Sequence, residues 1–212
     1  MKNALYVILI LGLLSSCSNE QPEVSPPITL EQLEMIESEV QSEHELSSVE
    51  IDFADFYSVF SATIESRNYE MFNGFIHPDN GCYAIESSGA MPVFTSVYDV
   101  GEFISKLKAK RFFDLPFVEI DHVVSFESLP NIICEAQIYD KVGCFANSSE
   151  EFKTSEIWNY AGLSEGSVVE VGSLASKVNI TVVNTSNYNY HFSKIEERWY
   201  ISFIDFRVPC SV

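Results

Sequence analysis

The chain of 212 residues carries a formal net charge of −19 at pH 7, because 31 Asp and Glu residues outnumber 12 Lys and Arg residues. Such an acidic protein is repelled by polyanions, which argues against nucleic acid and against anionic lipid headgroups as electrostatic partners. Hydrophobic residues make up 46% of the chain. That fraction is typical of a folded protein, so a hydrophobic core is expected.

The first predicted element is a signal peptide over residues 1–16. Lys2 supplies a short positive segment, and residues 4–14 (ALYVILILGLL) form an uninterrupted apolar run. A helix that spans a bilayer needs about 20 apolar residues, whereas this run has the length of a signal-peptide hydrophobic region.

The residues LSSC at positions 14–17 resemble the lipobox of bacterial lipoproteins, in which an aliphatic residue and two small residues precede a cysteine. The resemblance implies cleavage before Cys17 and lipidation of its thiol, with the protein anchored in the outer membrane of the cell envelope. Each buried CH₂ contributes about 0.8 kcal/mol, so two or three acyl chains hold a protein stably at a membrane. The alternative is an ordinary secretory signal in which Cys17 is incidental.

An acidic tether over residues 17–50 is predicted next. Residues 18–50 contain nine glutamates and no lysine or arginine. A segment of this composition buries too little apolar surface to offset the entropy lost on ordering. The tether is interpreted as a solvated spacer, with a sorting signal for surface export as the alternative.

Residues 51–212 are predicted to form a single globular domain, since about 160 residues suffice for one core and no repeat divides them. They carry 22 acidic and 11 basic residues, so the domain is itself acidic. The clearest helix covers residues 52–67, where apolar side chains recur at helical spacing. This stripe consists of Phe53, Phe56, Tyr57, Phe60 and Ile64.

Two further helices are predicted. One covers residues 69–75 and ends at a turn over residues 77–81, and a strand follows over residues 82–85. The other covers residues 99–110, with Asp99 as its N-cap. Its inward-facing residues are predicted to be Val100, Phe103 and Leu107.

From residue 117 onward the hydrophobic period changes to two, which predicts strands. Alternation covers residues 117–127, a second strand follows near residues 178–182, and residues 188–195 and 199–206 form a hairpin around Glu196 and Glu197. Helices first and antiparallel strands last indicate an α+β fold.

This order of elements resembles the cone-shaped NTF2-like fold, in which N-terminal helices pack on a curved, mainly antiparallel sheet. Three segments, FIHPDNGCYAI, YDKVGCFA and WYISFIDFRVPC, resemble a group of uncharacterised lipoproteins of Gram-negative bacteria. The resemblance covers most of residues 52–212 but implies no activity. The chain departs from the group at Cys82 and Cys144, where the group has hydrophobic residues.

Four cysteines remain once Cys17 is set aside, and an even number in an exported domain predicts two disulfides with three possible pairings. The resemblance implies that the two additional cysteines, Cys82 and Cys144, bond to each other. Cys134 then pairs with Cys210. No CxxC pair or Cys/His ligand spacing occurs in the sequence, so no metal site is predicted.

Three side chains are catalytic candidates. His122 lies at an apolar-face position of the strand predicted over residues 117–127, and Asp205 lies in the last strand, so the two could form an acid–base pair in a pocket. His77, beside Pro78, is the third candidate, with a turn-capping role as the alternative. His191 is predicted to be exposed, because Tyr188, Tyr190 and Phe192 lie on the opposite face.

No motif in the sequence points to a cofactor, so none is predicted. The leading hypothesis is a lipid-anchored, non-enzymatic binding or accessory protein of the cell envelope, whose partner is a small molecule or an envelope protein. One alternative is an NTF2-like enzyme that uses His122 and Asp205. A further alternative is a structural subunit of an envelope complex.

Overall fold

The computed structural model describes residues 50, 52–87, 89, 91–116, 120–136, 138–148, 150–207 and 210. The predicted signal peptide, Cys17 and nearly all of the predicted tether lie outside the described residues.

The described part of the chain begins with two helices. Helix α1 covers residues 52–65, close to the predicted range, and helix α2 covers Tyr69–Asn73. The side chain of Asn68 caps α2 by accepting a hydrogen bond from the backbone N–H of Met71, at 3.0 Å. Gly74 follows α2 directly, so this helix ends two residues before the predicted boundary.

Among the residues that the structure describes, seven strands form one sheet, in the order β2-β1-β9-β8-β7-β6-β3, and two short strands form a separate hairpin, β4–β5. The strands are β1 (Cys82–Ser87), β2 (Pro92–Val97), β3 (Ser125–Phe126), β4 (Ile132–Ile133), β5 (Ile138–Tyr139), β6 (Cys144–Asn147), β7 (Val178–Asn184), β8 (Asn189–Ile195) and β9 (Arg198–Asp205). Within the seven-stranded sheet, four strand pairs are antiparallel, while β1 with β9 and β3 with β6 are parallel. The prediction of an α+β fold with a mainly antiparallel sheet is therefore confirmed.

Helix α1 packs on one face of the sheet through aromatic rings. Phe60 lies 5.1 Å from Phe192 of β8, and Phe53 lies 4.9 Å from Trp199 of β9, measured between ring centroids. All four residues are buried. Such edge-to-face pairs add about 0.5–1.5 kcal/mol each beyond the apolar area that they bury.

The opposite face of the sheet is covered by helices α3 (Glu151–Ser155) and α4 (Glu165–Ser176), which the sequence analysis does not predict. Ser164 caps α4 by accepting a hydrogen bond from the N–H of Ser167. A second hydrophobic cluster lies beneath these helices. It includes Phe152, Trp158, Val171, Leu174 and Phe203.

The helix predicted over residues 99–110 does not form. The buried carboxylate of Glu86 in β1 accepts hydrogen bonds from the Ser105 hydroxyl and from the backbone N–H of Lys106, at 3.0 Å for the latter. These contacts hold the segment as a loop, because an N–H that donates to a distant carboxylate is not available for a hydrogen bond within a helix. Val100 and Phe103 are buried as predicted, whereas Leu107 is 42% exposed.

The strand predicted over residues 117–127 is also largely wrong. Residues 117–119 lie outside the described residues, and within 120–127 only β3 is extended and paired. The carboxylate of Asp121 accepts a hydrogen bond from the N–H of Val123 at 3.0 Å, which folds this stretch into a turn.

Cys134 and Cys210 form a disulfide with an S–S distance of 2.06 Å, so the prediction that the chain contains a disulfide is confirmed. Among the described cysteines, Cys82 and Cys144 are free thiols, and the predicted bond between them is wrong. Cys82 lies in β1 and Cys144 in β6, with three strands between them. At about 4.8 Å per strand they lie about 19 Å apart along the sheet, whereas a disulfide needs Cα atoms within about 7 Å.

Candidate functional site

A cleft lies beside the β4–β5 hairpin and extends from the β7–β8 turn (residues 185–188) to the face of the sheet that carries α3. It consists of two adjoining cavities, of about 490 and 350 Å³. Both cavities are lined by Ile132 and Tyr139 of the hairpin, by Asn189 of β8 and by Arg207. We refer to the two cavities together as the hairpin cleft. Their volumes lie in the range of small-molecule sites in proteins.

Asp205 and Arg207 form an ion pair that lines the smaller of the two cavities of the hairpin cleft. The Nε atom of Arg207 donates to both carboxylate oxygens, at 2.8 and 3.0 Å, and the backbone N–H of Arg207 donates to Oδ1 at 3.0 Å. The side chain of Asp205 is 5% exposed and that of Arg207 is 33% exposed. The carboxylate is therefore neutralised in place, and the outer part of the guanidinium remains accessible.

His191 lines the same cavity and is buried, so the prediction that it is exposed is wrong. Its ring stacks on Phe152 of α3 at 3.8 Å between centroids, because α3 covers the face of β8 that the sequence analysis assigned to solvent. Its Nδ1 atom lies 3.0 Å from the hydroxyl of Thr181 in β7. Burial lowers the pKa of His191 to about 4, so its imidazole is neutral at pH 7.

This pKa predicts that stability falls as the pH is lowered below neutrality. Unfolded His191 takes up a proton near pH 6.5, whereas the folded protein does so only near pH 4, so stability is lost between these values. The loss attributable to His191 is about 2 kcal/mol at pH 5 relative to pH 7.5. Urea unfolding at both pH values should show it in the wild type and show a smaller loss in His191→Gln. Equal losses in the two proteins would contradict the assignment.

His122 does not share a site with Asp205. Its Nδ1 atom lies 2.7 Å from the Ser61 hydroxyl and its Nε2 atom lies 3.2 Å from a carboxylate oxygen of Glu65, both on α1. The side chain of His122 is 39% exposed. It therefore connects the segment before β3 to α1, and the predicted His122–Asp205 pair is wrong.

His77 lies in the turn that precedes β1. Its Nδ1 atom accepts hydrogen bonds from the backbone N–H groups of Asp79 and Asn80, at 3.1 and 3.3 Å. Its ring lies edge-on to Tyr200, with centroids 4.8 Å apart. These contacts give His77 the turn-capping role that the sequence analysis offers as the alternative to catalysis.

The β4–β5 hairpin is held in place by a disulfide. The Cys134–Cys210 disulfide joins the hairpin loop to the segment just after Arg207, and burial beneath the hairpin raises the pKa of Tyr139. Four apolar side chains of the hairpin region remain partly exposed to solvent. Ile132, Ile133, Ile138 and Val142 are between 42% and 84% exposed.

Sequence reasoning found Asp205 but missed Arg207, His191 and Tyr139 as parts of one site. Arg207 follows Asp205 by two residues, the spacing at which side chains of a strand share a face. The sequence could therefore have indicated that the two side chains pair. Tyr139 lies in a two-residue strand, too short for periodicity to reveal.

Within the described part of the chain, no helix is both long and apolar enough to cross a membrane. Over the same residues, no group of three or more His, Cys, Asp or Glu side chains is arranged to hold a metal ion. Comparisons of the chain with protein-family models, curated proteins and solved structures gave no match.

Proposed function

We propose that this chain is a lipid-anchored protein of the bacterial cell envelope that binds a small uncharged ligand in the hairpin cleft without transforming it. The observation that carries this proposal is the cleft itself, in which apolar side chains such as Ile132 and Val183 and the carboxylate of Glu151 line a cavity together with the neutralised Asp205–Arg207 pair. Apolar pockets with a few fixed polar groups are typical of small-molecule sites.

Binding is favoured over catalysis by the partners of Asp205. A carboxylate that assists a catalytic histidine must be free to orient it, but both oxygens of Asp205 accept from Arg207. The imidazole of His191 is instead held by Thr181 and by stacking on Phe152. These contacts support a role in shaping the cavity.

The proposed anchor is Cys17, with residues 17–50 as the acidic tether and the outer membrane as the location. Only the sequence supports this part of the proposal, through the resemblance of residues 14–17 to a lipobox. The NTF2-like cone is likewise proposed, supported by the packing of α1 against β8 and β9.

The anchor is tested by fractionating bacterial cells that express the full chain. The wild type is expected in the membrane fraction with a mass increased by acyl chains, whereas Cys17→Ser is expected to leave that fraction and to carry no acyl mass. The same change at a cysteine outside the proposed lipobox, Cys144→Ser, serves as the control and should remain acylated. Membrane-bound Cys17→Ser protein would contradict lipid anchoring.

The binding part is tested on the same material by native mass spectrometry after detergent extraction. Wild-type protein should retain an uncharged molecule that Ile138→Trp loses, because Ile138 is 56% exposed and lines the larger cavity, which the larger ring would fill. Equal retention by both proteins would place the ligand outside the hairpin cleft.

A further inference from the structure

A further cavity, of about 400 Å³, lies between helix α4 and the turn that precedes β1. We refer to it as the α4 cavity, and it shares no lining residue with the hairpin cleft. One wall consists of α4 and its C-cap, which contribute Glu170, Ser173 and Lys177. These three residues recur at helical spacing and so lie on one face of the helix. The turn contributes Asp79 and Asn80 to the opposite wall.

His77 holds the turn in a fixed conformation. Its Nδ1 atom accepts from the backbone N–H groups of Asp79 and Asn80, and its carbonyl accepts from the N–H of Gly81 at 2.8 Å. The side chains of Asp79 and Asn80 therefore extend from a backbone that is already ordered. A site ordered in advance loses less conformational entropy when a ligand binds.

Two tyrosine rings also line the α4 cavity. Tyr83 of β1 stacks on Phe203 of β9, with ring centroids 5.9 Å apart, and this contact fixes the ring. Tyr98, directly after β2, lies against Gly81, where an added Cβ would be 3.1 Å from two of its ring carbons. Gly81 has a φ of 63°, so the position favours glycine on both counts. Tyr98 is 59% exposed, which leaves much of its ring open to a ligand.

The polar side chains on the two walls have no partner within the protein. Over the described ranges of the chain, the side chains of Asp79, Asn80, Glu170, Ser173 and Lys177 make no hydrogen bond or ion pair. The two carboxylates only accept hydrogen bonds and the ammonium group only donates them, whereas the amide and the hydroxyl do both. The cavity therefore offers donors and acceptors side by side.

The charges of the α4 cavity favour a neutral ligand. Its charged lining residues are Asp79, Glu170 and Lys177. The two carboxylates repel an anion, as does the acidic domain as a whole, and Lys177 repels a cation. Burial, the nearby carboxylate of Glu170 and the hydroxyl of Tyr98 raise the pKa of Tyr83, so its hydroxyl keeps its proton at pH 7.

We propose that the α4 cavity binds a neutral sugar, whose C–H groups contact the rings of Tyr83 and Tyr98 and whose hydroxyls bond the polar side chains of the two walls. The faces of a sugar ring carry C–H groups, which the negative face of an aromatic ring attracts. Each sugar hydroxyl both donates and accepts, as the mixed lining requires. The volume of the cavity is at the low end for small-molecule sites, which suits one or two sugar rings.

The test uses the full-length protein, ¹⁵N-labelled and held in a detergent without a sugar headgroup. It is titrated with glucose, galactose and mannose. The uronate and the 2-amino derivative of each sugar serve as matched anionic and cationic probes. The readout is the backbone amide resonances of Asn80 and Gly81, which belong to the wall of the cavity.

At least one neutral sugar is expected to shift both resonances saturably and to bind about ten-fold or more tightly than either of its charged derivatives. Tyr98→Ala removes an exposed aromatic ring from the cavity, so it should weaken binding by about ten-fold or more. Tyr160→Ala makes the same change at an exposed position outside the cavity and should bind like the wild type. Ile138→Trp, which alters only the hairpin cleft, should also bind like the wild type.

Three results would each overturn the assignment of a sugar site. They are wild-type affinity in Tyr98→Ala, a charged derivative that binds as tightly as its neutral sugar, and a titration in which no neutral sugar shifts the two resonances. Loss of sugar binding in Ile138→Trp would also overturn it, because the sugar would then occupy the hairpin cleft. The first three results leave the proposed function of the hairpin cleft unchanged, since the two sites share no residue.

Discussion

Replacing Cys134 and Cys210 by serine is expected to destabilise the protein by about 2–4.5 kcal/mol. The two cysteines are 76 residues apart, so their bond removes a long open loop from the unfolded ensemble. A loss of this size lowers the melting temperature by roughly 5–15 °C for a protein of this length. The hairpin wall of the cleft should also lose its attachment to the segment after Arg207.

The measurement is urea unfolding of the wild type, the double variant and the wild type in reductant. The last two should unfold at the same urea concentration, well below that of the oxidised wild type. Among the described cysteines, Cys82 and Cys144 are buried thiols whose pKa values burial raises to about 12, so reductant should not act through them. A double variant as stable as the oxidised wild type would show that the bond does not hold the fold.

Arg207→Met is expected to cost about 2–4 kcal/mol, because it leaves the carboxylate of Asp205 buried without its cation. The bond from the backbone N–H of residue 207 survives, but the bonds from the guanidinium are lost. Adding Asp205→Asn to this variant removes the uncompensated charge. The double variant should therefore recover more than half of the lost stability.

Lys153→Met provides the control, because Lys153 pairs with Glu150 at 2.9 Å on the surface of α3. Such exposed pairs contribute about 0–1 kcal/mol, so this variant should unfold close to the wild type. If Arg207→Met cost no more than Lys153→Met, the Asp205–Arg207 pair would be an ordinary surface contact.

Those parts of the fold that local chemistry determines were predictable. The β8–β9 hairpin turns at Glu196 and Glu197, both with positive φ, and the flanking residues alternate as an antiparallel pair requires. The sequence of helix α4 also contains a local signal, the N-cap at Ser164. However, Val169 is apolar yet 71% exposed, and an apolar residue outside the buried face obscures the helical periodicity. The loop at residues 99–110 could not be predicted from local sequence, because the carboxylate that accepts from its Lys106 N–H belongs to Glu86, in strand β1.

The site was predicted less well than the fold, because the sequence pattern of a strand does not show which elements cover its two faces. The alternation along β8 separates His191 correctly from Tyr190 and Phe192, but alternation alone cannot say what covers each face. Here α3 covers the face of His191, with Phe152 against its ring. A sheet buried on both faces turns the polar positions of its strands into the lining of a cavity.

The position of β9 in the sheet has a consequence for how the protein folds. β9 is the last strand in chain order, yet it lies between β1 and β8 and joins the β1–β2 pair to the rest of the sheet. The contact between β9 and β1 closes more than a hundred residues of chain, a slow, non-local step. Until residues 198–205 have emerged from the ribosome, β1 lacks its parallel neighbour and the sheet remains in two parts. We therefore expect the nascent chain to stay loosely folded until late in synthesis.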